Sequence, residues 1–148
     1  MPKDTAPDWL HILHACSLTV IEGEVPASAP SPVTAIRFVA GVDVEPTNTI
    51  AQARPSVLGE VDHQWQIQTS DRLDPSGSGE FIILPPGGGG ASIGWVRVRD
   101  TNGVNLPSRI AAATGSPEFL SLSADGKYLF AVSEEDDEYW IVVRRLAT

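Results

Sequence analysis

Two turn signals separated by runs of β-forming residues mark the last part of the chain, and that alternation leaves few ways to fold it. Residues 119–123 run into Asp125-Gly126, and residues 127–133 follow. An acidic run, Glu134-Glu135-Asp136-Asp137-Glu138, then turns the chain into residues 139–146. Asp-Gly tolerates the positive φ of a tight hairpin turn. The segment therefore predicts three antiparallel strands in a meander.

The remaining segments extend this β reading. Phe81-Ile82-Ile83-Leu84 is apolar on both faces, as expected of a central strand between two layers, and Pro85-Pro86 stops it. Residues 93–100 read as the next strand, closed by Asn102-Gly103. Residues 33–44 read as a strand with Ile36, Phe38, Ala40 and Val42 on one face. Residues 63–69 alternate, with Trp65 and Ile67 opposite Gln64, Gln66 and Gln68. Trp9, Ile12, Leu13 and Cys16 share a helical face, so a short helix or turn is expected there, running into a first strand at Leu18, Val20 and Ile21. Residues 26–32, 45–58, 73–79, 87–90 and 104–118 read as loops, the last with a helical turn at residues 110–113. The expected fold class is all-β: an antiparallel β-sandwich or partly closed β-barrel of seven or eight strands, with at most a short N-terminal helix. Residues 1–8 are expected to be a flexible N-terminal arm and residues 9–148 a single β-rich domain.

Leu122-Ser-Ala-Asp-Gly-Lys-Tyr-Leu-Phe-Ala-Val-Ser133, followed by Tyr139-Trp-Ile-Val-Val143, resembles one blade segment of TolB-like β-propellers. In those blades a Ser-Pro-Asp-Gly turn joins two strands; here Ala124 stands where proline is usual. The pattern occurs once, whereas a propeller needs at least about four blades. What the resemblance implies for this chain is an Asp-Gly hairpin.

Charge narrows the functional classes. Ten Lys plus Arg against nineteen Asp plus Glu leave a net charge of −9. Phosphate recognition needs a basic patch that releases counterions, so nucleic acid and anionic membrane surfaces are not expected partners. Cys16 is the only cysteine, so no intrachain disulfide is possible. No stretch approaches the roughly 18 apolar residues of a membrane span, and no cleavable signal sequence is expected. The chain is expected to be cytoplasmic, or part of a virion or injection machine.

Candidate chemistry is thin. His11, His14, Cys16 and His63 are the only soft metal ligands. On a helix over residues 9–16, Cys16 lies nearly opposite His11 and His14, so these do not share an ion. Glu134, Glu135, Asp136, Asp137 and Glu138 could offer oxygens to a hard cation but lack the alternation of an EF-hand loop; a solvated, charge-protected hairpin tip or a dock for a basic partner are the other readings. The tetraglycine 87–90 matches neither phosphate-loop motif, and a strand rather than a helix is expected after it. Gly77-Ser78-Gly79 is a turn, not a nucleophile elbow. No cofactor is expected, and an enzyme is not; a pocket joining His63 to two carboxylates would be the minimum for one.

Aromatic and arginine placement is the remaining clue. In residues 93–100, Trp95, Arg97 and Arg99 share one face, the composition of an interface hot spot. Arg144 and Arg145 add basic character, and their contrast with residues 134–138 permits head-to-tail self-association. The competing reading puts Trp95 in the core and pairs the arginines with Glu80 or Asp100. Trp95 and Tyr139 are candidates for stacking on a ligand, most plausibly a sugar. The expected function is a non-catalytic protein-interaction or structural subunit of a larger assembly, of phage-particle or secretion-apparatus type. The alternatives are a small-ligand module and an enzyme of unrecognised type.

Overall fold

A computed structural model describes residues 8–40, 43–87 and 90–146. The expected arm at residues 1–7 lies outside these, and Asp8 opens the first helix. In chain order the elements are α1 (Asp8–Ala15), β1 (Leu18–Val20), α2 (Pro32–Ala40), β2 (Asn48–Ala51), α3 (Val57–Thr69), β3 (Glu80–Ile83), α4 (Gly90–Ile93), β4 (Val96–Asp100), α5 (Leu106–Thr114), β5 (Phe119–Leu122), β6 (Tyr128–Glu134) and β7 (Glu138–Arg145).

The seven strands form one antiparallel sheet in the order β1-β4-β3-β5-β6-β7-β2. The C-terminal meander is present as expected, with Phe130 opposite Ser121 on one side and Val143 on the other. Its Asp-Gly turn is closed locally. Gly126 takes φ +75°, and the Ser123 hydroxyl and the Lys127 N–H both donate to the Asp125 carboxylate. Burial works against the Asp125 carboxylate, but the Ser123 and Lys127 hydrogen bonds and the Lys127 charge outweigh it and lower its pKa. A lowered folded-state pKa stabilises above the unfolded value of about 3.9 and loses that stabilisation as pH falls through the folded value. Asp125→Ala is expected to cost about 1 kcal/mol near neutral pH, and the difference should shrink near pH ~3. Urea unfolding at both pH values checks this; an equal difference at both would contradict it.

The all-β expectation holds in part: the antiparallel sheet of seven strands is present, but the fold is mixed, with more helix than expected. Helices, not a second sheet, cover the sheet, and its end strands β1 and β2 do not pair with each other, so it is neither sandwich nor barrel. On one face α1 (Leu13), α3 (Val61, Trp65) and α5 (Leu106, Ile110) pack against Leu18, Phe81, Ile83, Val98, Phe119, Phe130, Val132 and Ile141. On the other, α2 (Ala35, Val39) packs against Ile82, Leu122, Leu129, Ala131 and Val142. β3 is buried on both faces, which accounts for its unbroken apolar run.

Three segments depart from the strand and loop expectations. Residues 33–44 were expected as a strand, but α2 occupies Pro32–Ala40; residues 41–42 lie outside the described residues. Ser31 caps this helix: the Thr34 N–H donates to its hydroxyl oxygen at 3.2 Å, and Pro32 takes the first helical position. Ala35 and Val39, four apart, are buried together. The expected strand over residues 63–69 is the second half of α3, where Val61, Trp65 and Thr69 recur at the helical spacing and Ile67 is left outside. The expected loop at residues 104–118 holds α5, with Pro107 in its first turn and Gly115 (φ +93°) ending it through an N–H donated to the Ala111 carbonyl at 2.8 Å. The loop at residues 45–58 contains β2, which pairs with β7. The expected strand 93–100 is shorter, and the one-turn helix α4 precedes it. A helix does therefore follow the tetraglycine, of which residues 88–89 lie outside the described residues.

Candidate functional site

The strand face expected to form an interface is spent on the chain's own Pro-rich segment. The Trp95 indole N–H donates to the Pro30 carbonyl at 2.7 Å. The Arg97 guanidinium donates to the Glu24 carbonyl at 3.1 Å and pairs with Glu80 at 3.5 Å. Arg99 pairs with Glu80 at 2.8 Å. The Glu80 partner anticipated in the competing reading is thus present. Trp95 and Arg97 strap residues 24–30 to the sheet, and that strap delivers the chain to Ser31 and the start of α2. Arg144 stacks over Phe38 of the same helix at 5.4 Å, while Arg145 is exposed. Tyr139 is half-buried against the helix-rich face, and burial, with the Glu134 charge added, raises its pKa.

The other expected site residues are dispersed. Cys16 is fully buried, whereas His11, His14 and His63 are exposed. Burial, opposed by the Arg109 charge and assisted by Asp100, pushes the Cys16 thiol up to about 11. Among the described residues no group of three or more His, Cys, Asp or Glu side chains is placed to hold a metal ion.

The acidic run is an ordered hairpin tip. The Glu135 N–H donates to the Glu138 carbonyl, and the Gln52 side-chain amide donates to both the Glu135 and Glu138 carbonyls. Ser116, Ser133 and the Trp140 indole donate to the carboxylates of Glu134, Glu135 and Glu138 respectively. Asp136 and Asp137 are exposed, and their carboxylates take no donor among the described residues.

Two concavities stand out. The first, about 330 Å³, has a mixed polar and apolar lining and lies between the end of α3, the 70–79 turn and the start of α5. Three carboxylates, Asp71, Asp74 and Asp100, line it. Two are already used: Asp74 accepts from Ser76 and the Gly79 N–H, and Asp100 accepts from Arg109 and from the N–H groups of Asn102 and Gly103. These bonds close turns, and the pair on this wall is structural.

The second concavity is an apolar groove of about 310 Å³. Ile36, Val39 and Ala40 of α2 form one wall, and Leu84, Pro85 and Pro86, beyond the end of β3, form the floor. Phe119 and Leu120 of β5 and Val132 and Ser133 of β6 complete it, with Glu118 at the rim. Ile36 is 37% exposed, Val33 one turn earlier is 58% exposed, and Ile93 on neighbouring α4 is 45% exposed. Exposed apolar side chains thus stand on both α2 and the helix that contacts it. Its strand side is acidic: the Glu134 N–H donates to the Glu118 carboxylate at 2.9 Å, joining Glu118 to the hairpin tip. Arg37, exposed on α2, stands on the helix side.

Comparison with protein families, with curated proteins and with solved structures finds no match to this chain. Its geometry therefore carries the functional argument.

Among these residues only the acidic run was marked from the sequence. The sequence reading places Ile36 on one face of a strand with Phe38, Ala40 and Val42, and does not single out Val33. The signal that could have found them is Ser31-Pro32, an N-cap followed by proline at the first helical position. It implies helical spacing, which puts Val33 and Ile36 on one face and Ala35 and Val39 on another.

Proposed function

We propose that this chain is a non-catalytic protein-interaction module, a subunit of a larger assembly, that takes an apolar side chain of a partner protein into the groove between α2 and the ends of β3, β5 and β6. The observation that carries this reading is an apolar groove whose rim residue Ile36 is exposed, with Val33 exposed one turn earlier on α2 and Ile93 exposed on the contacting α4. Concave apolar surface that accepts one anchor side chain, ringed by contacts that exclude water, is the usual centre of binding energy at interfaces. Buried residues of β5 and β6, Phe119, Val132 and Ser133, line it beside the buried Leu84, so the site is held in shape before a partner arrives.

Selection from a display library of random peptides against the intact protein tests this. Selected peptides are expected to carry a large apolar anchor, and Ile36→Asp or Val33→Asp should weaken them roughly tenfold or more with no loss of fold. Peptides that bind these variants as well as the parent protein, or amide shifts confined to surfaces away from the groove, would overturn it.

A further inference from the structure

We infer that the segment seated in the groove is cationic, carrying a lysine or arginine beside its apolar anchor, and that Glu118 and the acidic hairpin select it; this rests on the groove reading above. One rim of the groove complements a cation in charge. Glu118 lines the groove, and the Glu134 N–H fixes its carboxylate at 2.9 Å. Ser133 lines the same wall, and the acidic residues Glu134 to Glu138 continue from it. At about 3.3 Å per residue, Asp136 lies within roughly 10 Å of chain from Ser133. That matches a cation about one to three residues from an anchor on an extended segment.

The hydrogen-bond donors to these carboxylates are neutral groups. Among the described residues the ion pairs involve Glu60, Glu80 and Asp100, and none involves Glu118 or the hairpin tip. The hairpin backbone is nonetheless rigid, tied by Gln52 and by the Glu135–Glu138 closure, so its charges are presented in a fixed place. A net charge of −9 steers cations toward the chain and repels a second copy of it.

The probes are peptides from the display selection, each compared with a version whose Lys and Arg are replaced by Gln. They are titrated against the intact protein, Glu118→Gln, Asp136→Asn with Asp137→Asn, and Ile36→Asp, at low and high salt. Glutamine preserves an acceptor for the Glu134 N–H, and Asp136 and Asp137 donate or accept no side-chain bond within the described chain, so these variants should fold normally. The expected result is basic enrichment near the anchor, binding weakened roughly three- to tenfold by each neutralisation, and a salt dependence that falls with it. Peptides that need Ile36 yet show no basic preference and ignore the carboxylate variants would overturn this inference and leave the groove reading standing. Peptides indifferent to Ile36 would overturn both. Concentration-dependent self-association abolished by Ile36→Asp would identify a second copy as the occupant and also overturn it.

Discussion

Arg109→Ala is expected to destabilise the protein by about 3 kcal/mol, because it breaks a largely buried, two-pronged ion pair and strands the atoms around it. Arg109 meets the two Asp100 oxygens at 3.0 and 2.7 Å, with only 14% and 12% of the two side chains exposed. The same guanidinium donates to the Val104 carbonyl at 2.8 Å and to the Cys16 carbonyl. One side chain therefore ties α5 to the end of β4 and to the turn before β1. Without it, Asp100 keeps only the Asn102 and Gly103 N–H groups, and two carbonyls lose their donor. For a chain of this size a loss of that magnitude lowers Tm by about 10 °C. Arg99→Ala is the matched control: its side chain is 50% exposed in its pair with Glu80, and its loss should cost less than about 1 kcal/mol. Thermal and urea unfolding of the two variants check the contrast. Similar losses for both would mean that the Arg109 pair does not lock these elements together.

Trp65→Ala should cost about 3–5 kcal/mol, the range for deleting a buried aromatic from a packed core. Trp65 is 4% exposed, and its ring lies 4.8 Å from Phe119 and 6.0 Å from Phe130, centroid to centroid. It is the contact that presses α3 onto the middle strands. Trp65→Phe keeps an aromatic ring there and should recover much of the loss. Urea unfolding followed by far-ultraviolet circular dichroism measures both. A cost for the alanine variant below about 1 kcal/mol would show that α3 is not held through this residue.

The two predictions bear on elements of different legibility. The alternation around Trp65 predicts a strand with Trp65 on one face; the structure buries it from a helix. Gln64, Gln66 and Gln68 alternate with Trp65 and Ile67, which mimics a half-buried strand, while Val61, Trp65 and Thr69 trace the helical stripe. Two periodicities coexist in that stretch, and only the sheet surface beneath it selects one. Arg109 lay in a segment read as a loop because Pro107 was taken as a breaker; proline in the first turn of a helix, with glycine after the last, is instead a helix signature. The groove was hidden for a related reason. Ile36 on a strand would face a core, whereas on α2 it is carried to the rim while Ala35 and Val39 face the sheet.

What the sequence by itself determined is the set of features whose cause is local: the Asp125-Gly126 turn, the meander around it, the two-faced run at Phe81 to Leu84, the short helix running into β1, and the acidic hairpin tip. Each depends on φ preferences, side-chain bonds a few residues away, or an apolar run that leaves no polar face. What only the tertiary structure decided is which surfaces are covered. Trp95 and Arg97 look like an open interface until the segment at Glu24 and Pro30 folds onto them, and Ile36 looks like core until α2 turns it outward. Burial is set by partners tens of residues away in the chain. A periodicity of apolar residues states that a face wants a partner but not which partner reaches it, and in this protein that choice separates the strap at Trp95 from the open groove at Ile36.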